Sequence, residues 1–149
     1  MKTISLWQPY ASLIFLDLKP DETRSWDTKY RGNLTIHAAK KIIPRDSFIE
    51  ILLDSLSYEQ MYYIMSKIDE AYGKYENLPT GTVLGTVNLF NTTCTCENCR
   101  HPITEIEKAL GDYSENRFAW NLKDIKPFDK PIPAKGQQGF WDWNEVQHE

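Results

Sequence analysis

After Trp7-Gln8-Pro9, the apolar positions Ala11, Leu13, Ile14, Leu16 and Leu18 crowd together at helical rather than alternating spacing. They predict a short buried helix with Pro9 in its first turn and Pro20 as its stop. The rhythm then changes. Residues 22–26 read as a strand, Arg31-Gly32 as a turn, and residues 33–38 as a second strand with Leu34 and Ile36 on one face and Thr35 and His37 on the other. Helical spacing returns at Phe48, Ile49, Leu52 and Leu53, which predicts a helix over 46–53. Ser57-Tyr58-Glu59-Gln60 has the form of a capping box that opens another helix through Tyr62, Ile64, Met65 and Ile68, stopped near Gly73.

Downstream of the turn at 78–81, residues 82–90 are rich in β-formers, 91–103 form a polar, cysteine-bearing loop, and 103–110 suit a short helix. Residues 117–122 and 125–132 read as strands, and the glycine-bounded loop 135–139 leads to Phe140, Trp141 and Trp143. With no internal repeat and no linker, short strands with helices set between them predict one α+β domain over 1–149, a small mixed barrel.

Composition changes this picture little. At 41% hydrophobic and 26% charged, the chain has the make-up of a globular domain with a real core. No apolar run approaches a membrane span, so no membrane partner is expected. The N-terminus lacks the form of an export signal, and three cysteines without one point to a reducing, cytoplasmic setting. A monomer is the default.

Charge changes it more. The net charge of −4 argues against broad, salt-driven binding to duplex nucleic acid. Residues 19–45 nevertheless hold Lys19, Arg24, Lys29, Arg31, Lys40, Lys41 and Arg45 against Asp21, Glu22 and Asp27, a local +4 that leaves −8 for the remainder. A basic face on an acidic body suits a small nucleotide or phosphate contact; a solvated surface with chance clustering is the plainer alternative.

Within that basic segment Lys19, Glu22 and Arg24 stand at K-x-x-E-x-R spacing, with Trp26 two residues on. In an extended segment Glu22, Arg24 and Trp26 share a face. A carboxylate, a guanidinium and an indole can grip a planar, hydrogen-bonding ligand such as a nucleobase, while Lys19, Glu22 and Arg24 can equally form a salt-bridge network closing the barrel. Trp7 and Trp26 are the candidate stacking surfaces. Trp120 suits either the cleft or the core, and Trp141 and Trp143 suit packing. Gln8 and Gln138 carry both donor and acceptor, as reading a base edge requires. Tyr30 completes the cleft, Arg31, Lys40 and Lys41 offer phosphate-facing charge, and Lys135 beside Gly136 offers either a phosphate contact or a turn.

Three stretches together resemble the ASCH (activating signal cointegrator homology) domain family. They are Ser5-Leu6-Trp7-Gln8-Pro9-Tyr10-Ala11; Glu22-Thr23-Arg24-Ser25-Trp26 with Tyr30-Arg31-Gly32 and Ile36-His37-Ala38; and Pro131-Ile132-Pro133-Ala134-Lys135-Gly136 through Trp141. The likeness runs from Met1 to Trp143. It implies a PUA-like fold, a small mixed β-barrel with flanking helices, and a cleft that binds RNA, DNA or a modified nucleoside. The family hallmark is G-x-K-x-x-E-x-R; Lys19, Glu22 and Arg24 match it, and Asp17 stands in place of the glycine.

Some relatives are amidohydrolases acting on N4-acylated cytidine, and that resemblance implies Lys19 as the base. Glu22, however, stands where those relatives have threonine, and Asn88 stands where they have a later-strand glutamate. Other relatives are described as ribonucleases, for which His37 with Lys19 or Glu22 would supply the acid–base pair; a lone strand histidine is otherwise a structural residue. A binding module is the reading these departures favour, with a hydrolase and a protein-interaction (coregulator-like) module as alternatives.

Cys94, Cys96, Cys99 and His101 form a separate cluster whose Cys3His composition suits one structural zinc ion. A loop of reduced thiols or one disulfide are the alternatives, and no other cofactor is expected.

Overall fold

The computed structural model describes residues 1–98 and 102–144. Its strands are β1 (Lys2–Gln8), β2 (Asp21–Arg24), β3 (Gly32–Ile42), β4 (Thr82–Cys94), β5 (Phe118–Pro133) and β6 (Trp141–Asp142), and its helices are α1 (Tyr10–Phe15), α2 (Arg45–Leu53), α3 (Tyr58–Tyr72) and α4 (Glu105–Ala109). The strands form one mixed sheet in the order β2-β5-β4-β3-β1-β6, in which β1 and β3 run parallel and every other pair antiparallel. This is the α+β class expected. The backbone ladder stays open between β2 and the β1–β6 edge, so the barrel is a curled sheet with a seam. Arg24 on β2 donates to the carbonyl of Ser5 on β1 at 3.1 Å, which brings the two ends together. Trp26, just after β2, packs edge-on to Phe140, just before β6, at 5.4 Å between ring centroids.

Ile4, Leu6, Leu34, Ile36, Val87, Leu89 and Trp120 fill the inner face of the sheet. A second core, built from Leu13, Leu18, Phe48, Leu52, Ile64 and Ile68, binds the helices to its flank. The capping box forms as expected: Ser57 Oγ accepts from Gln60 N, and the Gln60 side chain accepts from Ser57 N. Gly73 caps the far end of α3.

Three elements differ from the expectation. Residues 2–8 form a strand, because Ile4 and Leu6 alternate with Thr3 and Ser5 and pair with β3. The two strands expected at 117–122 and 125–132 are the single strand β5. It passes through the left-handed Asp124 (φ 51°), and register shifts let the pairing with β4 continue beyond it. The start of the expected cysteine loop belongs to β4, which pairs as far as Cys94 opposite Phe118.

The end of α1 places the K-x-x-E-x-R segment. Asp17 adopts φ 59°, Asp17 N–H reaches Ile14 O at 3.3 Å and Leu18 N–H reaches Leu13 O at 3.2 Å, the paired bonds of a Schellman helix stop. Leu13 and Leu18 then meet in the helical core, as that motif favours. Asp17, at the position of the hallmark's glycine, thus makes a left-handed turn; aspartate is among the few non-glycine residues that tolerate it.

Candidate nucleotide-binding cleft

Two cavities open along the seam. The first, about 530 Å³, is lined by Ser5, Trp7 and Tyr10 on one part of the chain, by Lys19, Glu22, Thr23, Arg24 and Trp26 on another, and by Leu110, Gly111, Asp112 and Arg117. The second, about 670 Å³, takes Ser5, Trp7, Arg24 and Trp26 again and adds His37, Lys40, Ala134, Lys135, Gly136 and Gln138. The shared residues make them two lobes of one cleft, each within the roughly 300–1,000 Å³ range of small-ligand sites.

In the first lobe, Glu22 sits between two cations. Lys19 Nζ lies 3.4 Å from Glu22 Oε1 and donates to Asp21 O at 2.9 Å, and its side chain is almost wholly buried. Arg24 Nε lies 3.2 Å from Glu22 Oε2 without hydrogen-bonded alignment, while Nη2 holds Ser5 O. The salt-bridge network and the cleft wall are therefore the same residues. Glu22 also raises the Tyr10 hydroxyl pKa, secondarily to the burial of that ring. Opposite, Arg117 Nε pairs with Asp112 Oδ2 at 3.3 Å. Hydrogen bonds from the Ser114 hydroxyl and backbone hold the Asp112 carboxyl below its ordinary pKa.

Trp7 stands on the ridge between the lobes, 47% exposed, with Lys41 Nζ 4.0 Å above its ring centroid. Trp26 is half-buried, its ring edge-on to Trp120 at 4.8 Å.

The floor of the second lobe is a closed hydrogen-bond chain. His37 Nε2 lies 2.7 Å from the Ala134 carbonyl, an acceptor, so it carries the proton. Nδ1 then accepts from Ser5 Oγ at 3.0 Å, and Ser5 Oγ accepts from Trp141 Nε1 at 3.1 Å. Burial lowers the His37 pKa and keeps the ring neutral, outweighing the Ala134 bond that favours the cation. A Cβ at Gly136 would stand 2.5 Å from His37 Cε1 and 2.8 Å from Ser5 Oγ, so only glycine fits over this pair.

Of the expected site residues, Trp7, Lys19, Glu22, Arg24, Trp26, Lys40, Lys135 and Gln138 all line the cleft. Gln8 does not. It is fully buried, accepts from Ser12 N at 3.0 Å, and donates to Ser12 Oγ and Pro79 O, so its amide caps α1 and has no group left for a base. Trp120 is also fully buried; it packs in the sheet core and offers no stacking face. His37 is 1% exposed with both ring nitrogens bonded internally, which makes it the structural histidine. Tyr30 packs on Phe140 with its hydroxyl on Asn33 O, and Arg31 spends its guanidinium on Thr28 O, Tyr30 O and Thr92; neither lines a lobe. Asn88 lines neither lobe. Cys94 ends β4 and Cys96 follows it, while Cys99 and His101 lie outside the described residues.

The sequence pattern gives no sign of Asp112 and Arg117 in the cleft, nor of the roles of Ser5 and of Gly136 over the His37 pair. The Ser5 contacts span 19 to 136 positions, and Asp112 reaches the cleft through its bond to Thr23 Oγ1, 89 positions away, which no local spacing encodes.

The ASCH domain family model matches residues 4–132. The human protein Activating signal cointegrator 1 is 26% identical over 147 residues, which cover 98% of this chain and 23% of the human protein. Its mouse counterpart is 25% identical over 146 residues with the same shares. The chain thus spans about a quarter of the length of the curated relatives it matches.

Proposed function

This chain belongs to the ASCH domain family, and from that premise we propose that it binds RNA or a modified nucleotide, holding one base in the first lobe of the seam cleft. The observation that carries the reading is the Trp7 ring, exposed on the ridge beside a carboxylate and a guanidinium already fixed in place. Lys41 covers one face of that indole, which leaves the opposite face for a base. Glu22, held by Lys19 and Arg24, would accept from an exocyclic amino group, and Arg24 would donate to a ring nitrogen or carbonyl. Preset donors and acceptors lose little entropy on binding.

Trp7→Ala should weaken binding of single-stranded RNA or nucleosides by roughly fivefold to a hundredfold, the range of about 1–3 kcal/mol per stacked base, with thermal stability unchanged. Unaltered affinity in Trp7→Ala and in Arg24→Ala, or no binding to any nucleic-acid ligand, refutes the proposal.

The hydrolase reading gains one observation, the convergence of Lys19 and Glu22 in a lobe. Against it, the Lys19 ammonium is engaged as a donor by Asp21 and Glu22, Asn88 stands outside the cleft and His37 is internally bonded. Turnover of acylated cytidine or short RNA, lost in Lys19→Met, would establish that alternative.

A further inference from the structure

We infer that the second lobe receives a phosphodiester, so that the ligand is a nucleic-acid strand of at least two nucleotides rather than a free nucleoside. The inference rests on the reading of the first lobe as the base site.

The charges divide unevenly between the lobes. Glu22 and Asp112 temper the cations of the first. The second is lined by Arg24, Lys40 and Lys135, with no carboxylate among its lining residues, in a chain whose net charge is −4. The two lysines are not used up by the fold, and Arg24 is only partly engaged. Among the described residues Lys40 and Lys135 have no ion pair, hydrogen bond or ring contact, and Arg24 Nη1 has no acceptor. Two unpaired lysines beside a polar–aromatic lobe are the arrangement that an anion attached to a base would neutralise.

The loop between Ala134 and Phe140 points the same way independently. Ala134 N–H bonds Gly81 O, but none of the backbone N–H groups from Lys135 to Gly139 finds an acceptor among the described residues. Free backbone amides beside lysine ammonium groups are donors that an anion can use. The Ala134 carbonyl, which would oppose an anion, is already occupied by His37 Nε2. Lysine ammonium groups with loop amides suit a phosphate, for which a point charge is enough. Because Arg24 and Trp7 belong to both lobes, a base stacked on Trp7 would pass its sugar–phosphate over Arg24 into the second lobe.

The test compares the common ribonucleosides, their 5′-monophosphates and ribodinucleotides on the wild type and on Lys40→Ala/Lys135→Ala, by calorimetry across a salt series. Both lysines are exposed, so the variant should fold. We expect the best dinucleotide to bind at least tenfold more tightly than its nucleoside, that ratio to fall to about twofold in the variant, and the slope of log K against log salt to flatten by up to about 0.7, the value for the single phosphate of a dinucleotide. A nucleoside that binds as tightly as the dinucleotide, or a variant with an unchanged ratio, overturns this inference and leaves the base site standing. A monophosphate equal to the dinucleotide in affinity and lysine dependence overturns the strand requirement and assigns the lobe to a terminal phosphate. No binding by any of the three classes overturns the base site and this inference together.

Discussion

Replacing Glu22 with alanine would leave two cations facing a gap. Glu22 is nearly buried, Lys19 Nζ lies 3.4 Å from one carboxylate oxygen and Arg24 Nε 3.2 Å from the other. Removing one partner from a buried pair typically costs roughly 3–5 kcal/mol, because the remaining charge stays desolvated. Two features place Glu22→Ala at the low end. Arg24 is a fifth exposed and can turn toward water, and Lys19 keeps its bond to Asp21 O at 2.9 Å. The expected loss is about 3 kcal/mol, read as a lower urea midpoint at unchanged slope and a drop of roughly 6–12 °C in Tm for a domain of this size. Adding Lys19→Met removes the stranded ammonium and should restore at least about 1 kcal/mol, a coupling that a double-mutant cycle isolates. A loss below about 1 kcal/mol in Glu22→Ala, with no recovery in the double variant, would show that the network does not hold the seam and refute the reasoning.

Two further predictions concern the second lobe. His37 has its pKa lowered by burial, so between that value and the ordinary 6.5 the unfolded chain binds the proton and the folded one does not. Stability should therefore fall as pH drops below about 6.5 and level off once the folded pKa is passed, and the difference between wild type and His37→Gln in urea midpoints from pH 7 to 5 should show that slope; parallel curves would contradict it. Gly136→Ala sets a methyl 2.5 Å from His37 Cε1, and by the usual penalty for overpacking it should destabilise by about 1–3 kcal/mol; an unchanged Tm would mean that the loop yields freely.

Local pattern made the helices and most strands legible. Capping chemistry fixed the start of α3, and the K-x-x-E-x-R spacing with Trp7 and Trp26 located the ridge of the cleft. What the pattern leaves open has a common cause. Gln8 looks the same in sequence whether it reads a base or caps α1, because its fate depends on Pro79 O, 71 positions away. Trp120 sits on a strand whose inner and outer faces only the curl of the sheet decides. The pattern suggests two strands where β5 is one, since the ladder with β4 continues past the left-handed Asp124. Asp17, where the motif has glycine, adopts a left-handed turn that glycine would also accept.

The seam has a mechanical consequence. Between β2 and β1 the described hydrogen bonds comprise no backbone ladder; a guanidinium on one carbonyl and a few aromatic edges span the gap. Opening there breaks fewer bonds than peeling any interior strand, so β2 amides should exchange with solvent sooner than those of β3 and β4. A guest that touches Trp7 on one shore and Arg24 on the other rivets the two free ends of the sheet. Binding would then slow exchange along β2 and raise the melting point together, as expected for a ligand held by the closed form alone.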